Sequence, residues 1–362
     1  SEIEAAERAT TSEQREALKL AARRIEAYHL RQVPEDQSFR DETGAQLGWR
    51  WRPVESVGLY VPGGSASYPS SVLMNAIPAR VAGVQRIAMV SPATGGAINP
   101  LTLAAARIAG IGEIYRVGGA QAIAALCYGT DMIKPVAKIV GPGNAYVACA
   151  KREVFGRVGI DTIAGPSEIL VVADGKNDPA WIAADLLSQA EHDPSSQSIL
   201  ITDDSAFADA VAGEIERQLS VLRRQDIASA SWQNHGAIIV VQKLEDAAPL
   251  VDAIAPEHLE IATDAPEDFL AKINNAGAVF LGRFTPEAIG DYIAGPNHVL
   301  PTSRAARFSS GLSVLDYMKR TTLLSCDASA LNALGPSALT LAEAEGLSAH
   351  GKSISIRMNR KS

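Results

Sequence analysis

The feature that most constrains this chain is an alternation of short apolar runs with longer helix-patterned segments. The sequence reads as a strand over 59–61, a helix over 71–84, a strand over 86–90, a helix over 101–109 and a strand over 113–117. A helix over 120–128, a strand at 138–140 and a helix over 144–155 extend the pattern. A second run has strands at 168–173, 198–201, 236–241 and 278–281, with helices at 180–190 and 206–219. Apolar strands separated by helices imply a parallel sheet covered on both faces, because each crossover lays a helix on it.

The expected fold class is therefore α/β, with two Rossmann-like α/β domains of parallel sheets and a small C-terminal helical and extended tail. Residues 1–59 with 168–312 are expected to form the first domain, 60–167 the second and 313–362 the tail. The amino end, to residue 31, reads as helix. Thr11 and Gln14 resemble a capping box, and Leu18, Ala21, Ala22 and Ile25 recur at helical spacing. The tail is expected to close on a β-like segment, Ser353 to Met358.

With 362 residues and 47% hydrophobic content the chain can bury a sizeable core. A net charge of −8 argues against nucleic-acid or anionic-membrane partners. No apolar run approaches the roughly 18–20 residues that span a bilayer, and the amino end shows no signal-peptide pattern. A cytoplasmic location is expected. Cys127, Cys149 and Cys326 lack CxxC spacing and read as buried, inert thiols.

Candidate chemistry lies in segments where histidine meets carboxylate: Gln189 to Asp193, Glu257-His258, and Glu345 to His350. Neutral imidazole binds divalent metals and titrates near neutrality, so such pairs suit a metal site or proton transfer. Gln189 and His192, three apart on an expected helix, would share a face. Glu257-His258 is open to a second reading as a solvated turn. Asp291 and His298 bracket a Gly/Pro loop of the kind that often carries function. His29 and His235 have no chemical company and read as structural. Gly63 to Ser67 and Gly141 to Asn144 each follow a strand, where small residues let backbone N–H groups approach an anion or cofactor. From spacing alone an ordinary βα turn is the preferred reading, since neither completes G-x-G-x-x-G.

Taken together these segments resemble the histidinol dehydrogenase family. The resemblance is carried by GLYVPGGSASYPSSVLMNAIPA (58–79), GGAQAIAAL (118–126), KIVGPGNAYV (138–147), IAGPSEILV (163–171), SQAEHD (188–193), APEHLEIAT (255–263) and IGDYIAGPNHVLPT (289–302). It implies a zinc-dependent enzyme oxidising L-histidinol to L-histidine with two NAD⁺, the last steps of histidine biosynthesis. By motif, Gln189, His192, Asp291 and His350 would bind zinc, and Glu257 and His258 would be the catalytic proton acceptors. Ser167, Gln189, His192, His258, Asp291, Glu345 and His350 would surround the substrate, and Tyr60, Gln121 and Asn144 would contact NAD. The resemblance also implies a homodimer in which the tail reaches the partner, and a further segment ahead of Ser1 that helps form it. A related dehydrogenase for another small polar alcohol, such as a sulfonated propanediol, is the alternative within the superfamily. A non-enzymatic metal or nucleotide sensor is the alternative outside it, and it has no need of Glu257-His258.

Overall fold

In a computed structural model of the chain, which describes residues 2–63 and 68–358, the amino end is helical as expected. α1 (Glu2–Ala9) precedes α2 (Ser12–Leu30). The Thr11 hydroxyl accepts from the Gln14 N–H at 3.2 Å while the Gln14 side chain accepts from the Thr11 N–H at 3.1 Å, so the capping box forms. His29 is buried and donates through Nδ1 to the Ile25 carbonyl at 2.8 Å, a structural role.

β1 (Gln37–Arg40) and β2 (Gln46–Pro53) follow as an antiparallel pair. The first alternating run is β3 (Ser56–Tyr60), α3 (Pro69–Val81), β4 (Arg86–Val90), α4 (Pro100–Ala109) and β5 (Glu113–Tyr115). It continues through α5 (Gly119–Tyr128), β6 (Lys138–Val140), α6 (Ala145–Val154) and β7 (Gly159–Ile160). These strands pair in parallel in the order β5-β4-β3-β6-β7.

The second run comprises β8 (Glu168–Ala173), α7 (Pro179–Ala190), β9 (Gln197–Thr202), α8 (Ser205–Leu219), α9 (Gln225–His235) and β10 (Ala237–Val240). Then come α10 (Ala247–Ile254), β11 (His258–Ala262), α11 (Pro266–Leu270), β12 (Ala278–Leu281) and α12 (Glu287–Tyr292). The order is β10-β9-β8-β11-β12, again parallel. Counted from its own first strand, each sheet has the same topology. Ile169, Val171 and Ala173 of β8 enter one core while Leu170 and Val172 enter the other, with Leu259 and Ile261 of β11. That is the period-two pattern of a strand buried on both faces.

β13 (Met318–Ser325), α13 (Ala328–Ala344) and α14 (Ser348–Met358) end the described chain. The chain divides into two compact units, Ser1–Gln32 with Glu55–Tyr317, and Val33–Val54 with Met318–Ser362. Both parallel sheets belong to the first. The second holds the antiparallel sheet β1-β2-β13 and the pair α13 and α14, where Gly335 and Gly351 make room for Met358 and Leu339.

Three differences from the sequence reading stand out. The boundary expected at residue 59 falls inside β3, which pairs with β4 and β6. Residues 33–54 join the tail unit, because β2 pairs with β13 over eight registered positions. Ser353 to Met358 is helical, since its Ser/Ile alternation is too short to outweigh packing along α13. Among the described residues no helix is long and apolar enough to cross a membrane.

Candidate active site

Polar side chains gather at the amino-terminal edge of the second parallel sheet. Glu168 opens β8 and His258 opens β11, in a register that sets His258 beside Ile169 and Glu168 beside Gln197. α7 runs back to this edge, bringing Gln189 in its last turn and His192 just beyond. α12 supplies Glu287 and Asp291, one turn apart. The entry into β11 is sharply constrained. Ala255 caps α10 at φ 49°, and a Cβ on Gly277 would strike the Glu257 carbonyl.

His258 is the centre of this group. Its Nδ1 donates to the Glu168 carbonyl at 2.9 Å, which fixes the ring and turns Nε2 toward the acids. Nε2 stands 3.7 Å from Glu287 Oε1 and 3.7 Å from Asp291 Oδ1, and Nδ1 lies 3.7 Å from Glu257 Oε2. Glu257 Oε2 accepts from the Glu168 N–H at 2.9 Å. The Glu168 carboxylate accepts in return from the Glu257 and Ser303 N–H groups, at 3.3 and 2.8 Å. Glu257 and His258 are 7% and 3% exposed, so the solvated-turn reading does not hold.

Burial governs the electrostatics. It raises the Glu257 carboxyl to about 7, and it raises Glu287, helped by the Asp291 charge. Burial would lower His258, but Glu257, Asp291 and Glu287 lift it to about 10. Burial would raise Asp291, but His258 and His298 hold it below the usual carboxylate range. The group crowds the carboxyl groups of Glu257, Glu287 and Asp291 around one imidazole with little access to water, a situation a cation relieves.

The donors suit a metal. His258, Glu287 and Asp291 each present a ligand atom, all within 4.8 Å of one another. Both carboxamide atoms of Gln189, His258 Nε2 and Glu287 Oε1 are buried with no hydrogen-bond partner. Buried polar atoms in that state call for an explanation, and a bound ion is one that serves all three residues at once. Nitrogen and oxygen donors of this kind fit zinc. No cysteine joins the group. Cys127 is buried as expected, whereas Cys149 and Cys326 are exposed.

The remaining expected residues fall as follows. Ser167 adjoins Glu168, and its carbonyl accepts from the Gln197 N–H at 3.0 Å. α7 ends at Ala190, so His192 is not on the helix. Its N–H bonds the Gln189 carbonyl at 3.0 Å in a tighter turn. His192 is an exposed residue, yet desolvation of its imidazole lowers its pKa against the opposing charge of Asp291. Glu345 caps the end of α13 and His350 lies in the first turn of α14, both exposed in the second unit. His235 is exposed at the end of α9.

The first parallel sheet carries a cavity of about 470 Å³ at its opposite, carboxy-terminal edge. Tyr60 ends β3 and Gly63 follows it, Gly118 and Gln121 follow β5, and Asn144 follows β6, all lining it. The strand order reverses between β3 and β6, the place where open α/β sheets take ligands. The Tyr60 hydroxyl accepts from the Gly119 N–H at 3.1 Å. Asn144 Oδ1 caps α6 through the Tyr146 and Val147 N–H groups. Of the Gly63 to Ser67 turn, residues 64–67 lie outside the described residues.

Sequence reasoning missed Glu287 and Glu168. Glu287 precedes Asp291 by four positions, a helical spacing that signals a shared face once α12 is recognised. His298 ties the two regions together. Its Nδ1 donates to the Asp291 carbonyl at 3.1 Å, and its Nε2 meets the Ser71 hydroxyl of α3 at 3.5 Å. Asn297 donates to the Met74 carbonyl at 2.6 Å.

Known proteins resemble this chain along nearly its whole length. The family model for histidinol dehydrogenase matches residues 1–358. A histidinol dehydrogenase of Rhodospirillum rubrum is 68% identical over 96% of this chain and 80% of its own length. That of Agrobacterium fabrum is 64% identical over 100% of this chain and 84% of its own. A crystal structure of histidinol dehydrogenase from Elizabethkingia anophelis superposes with a TM-score of 0.96 at 41% identity, covering 99% of this chain and 83% of that one. A full-length model match, identity well above half and a near-coincident backbone lead to one conclusion: the chain belongs to the histidinol dehydrogenase family.

Proposed function

We propose that this protein oxidises L-histidinol to L-histidine through the aldehyde, in two NAD⁺-dependent steps at a zinc-bearing site. The observation that carries this reading is the set of buried, unpartnered atoms, the Gln189 carboxamide, His258 Nε2 and Glu287 Oε1, beside Asp291 and the Glu257–His258 pair. Family membership supplies the substrate. Gln189, His192 and Asp291 would hold the metal, with His350 as the fourth ligand and Glu287 close by.

Zinc supplies a Lewis acid and a template for an amine and an imidazole, and the nicotinamide supplies the hydride acceptor. His258, its Nδ1 committed to the Glu168 carbonyl, would take the alcohol proton at Nε2 once a bound cation offsets the carboxylates that otherwise keep the ring protonated. Glu257, fixed by the Glu168 N–H, accepts a proton from the water that hydrates the aldehyde. Tyr60, Gln121 and Asn144 would line the dinucleotide site. Glu345 and His350 would complete the site of a partner copy in a homodimer.

NADH formation from histidinol, with and without a chelator, tests the reading. Activity on a sulfonated propanediol but not on histidinol would overturn it. The homodimer has its own test. Mixing inactive His350→Ala and Glu257→Ala proteins, with subunit exchange, should restore about a quarter of wild-type activity, because mixed dimers hold one intact site. No recovery after verified exchange would exclude the shared site.

A further inference from the structure

The inward face of α6 is Val147, Lys151 and Val154, so a lysine stands where the helical pattern calls for an apolar residue. Lys151 Nζ pairs with Asp161 Oδ1, and the two side chains are only 3% and 2% exposed. Lysine and aspartate are almost never buried this deeply unless paired, and a buried pair is weak evidence for stability because desolvation offsets the attraction. A different role follows from their remaining bonds. Lys151 Nζ donates to the Gly141 carbonyl at 3.1 Å, and Asp161 Oδ2 accepts from the Gly141 N–H at 2.7 Å. Both peptide groups of one residue are thus held by one ion pair.

Gly141 has φ +107° and packs so tightly on the Tyr60 carbonyl that a Cβ there would collide with it. It opens the turn that ends at Asn144. Tyr60 and Asn144 both line the cavity at the first sheet's carboxy-terminal edge. The pair touches neither the cavity nor the acid–imidazole group.

We propose that Lys151 and Asp161 are a positioning pair that sets the 141–144 turn as a wall of the dinucleotide site. The inference rests on the reading that this cavity takes the nicotinamide dinucleotide. The pair acts on the cofactor side only, through the place it gives Gly141 and Asn144.

The test is calorimetric titration of NAD⁺ into zinc-loaded wild-type protein and into the double variant Lys151→Met/Asp161→Leu, which removes both charges together. Kd for NAD⁺ should rise about tenfold, equivalent to 1.4 kcal/mol. KM for NAD⁺ should rise with it, while KM for histidinol and zinc content hold. A purely structural role would shift both substrates' KM values together, which would overturn the inference. If the double variant does not fold, Asp161→Asn decides, with binding about threefold weaker expected. Unchanged affinity in that variant would overturn the inference while leaving the cavity's assignment intact. Wild-type protein that binds no NAD⁺ would overturn the assignment and the inference with it.

Discussion

The two parallel sheets share one strand order, yet each presents its chemistry at a different end. The first uses its carboxy-terminal edge, where glycine-rich turns leave an open cavity lined by Tyr60, Gln121 and Asn144. In the second that edge is bridged. Arg283 binds Asp174 at 3.0 and 2.9 Å and Asp264 at 2.6 Å, and Asn177 donates to the Ala262 carbonyl at 2.7 Å. Those contacts join the ends of β8, β11 and β12. The second sheet's chemistry sits instead at the amino-terminal edge, where α7, β11 and α12 bring buried acids to His258. Strand order thus permits a ligand crevice at the switch point, and side chains decide whether it stays open.

The largest effect should come from the amino-terminal edge. His258→Asn should slow both oxidations by about 10²–10⁴-fold, the usual cost of a lost general base. Glu257→Gln should impair histidinal oxidation more than histidinol oxidation. Equal losses, measured on the two substrates separately, would refute that division of labour.

The open edge of the first sheet should respond through the cofactor. Asn144→Ala removes the α6 cap and should cost about 1 kcal/mol of stability in a denaturant titration. It should also raise KM for NAD⁺ with little change in KM for histidinol. The reverse pattern would mean that the two edges are not functionally separate.

At the bridged edge, Arg283→Met should cost about 2 kcal/mol by leaving Asp174 without its charge-assisted bonds. Turnover should stay within about twofold, because nothing at this edge touches either site. A large fall in turnover without unfolding would reveal a ligand there.

A further effect concerns pH in chelated protein. Glu257 is raised from 4.5 to about 7, so between those values the folded state binds more protons than the unfolded. Its contribution to stability is present below 4.5 and is lost as pH rises toward 7. Glu257→Gln should therefore flatten the decline of melting temperature across that window. An identical slope in wild type and variant would place the titration elsewhere.

Much of the α/β frame was legible because its strands are buried on both faces. β4, β6, β8 and β12 fall on the residues that their apolar runs mark. β11 was obscured because it opens on His258 and contains Glu260, polar residues a buried strand tolerates only in company such as the Glu287 N–H on Glu260. The antiparallel sheet was missed because β1 and β13 are almost wholly exposed, leaving no clear alternation of burial. At the site, the Glu257–His258 dipeptide was visible as adjacent chemistry. Glu287 was not, because nothing local marks a glutamate whose importance arises from α12 packing over His258.

The bond from His298 to Ser71, with that from Asn297 to Met74, has a consequence for recombination between relatives. A crossover anywhere between residues 82 and 290 takes α3 from one parent and the 291–298 loop from the other. Chimeras of that kind inherit a working junction only when both parents present the same hydroxyl and the same carbonyl geometry to the histidine and asparagine. An exchange that carries 71–74 and 291–298 together keeps donor and acceptor matched, whatever lies between them.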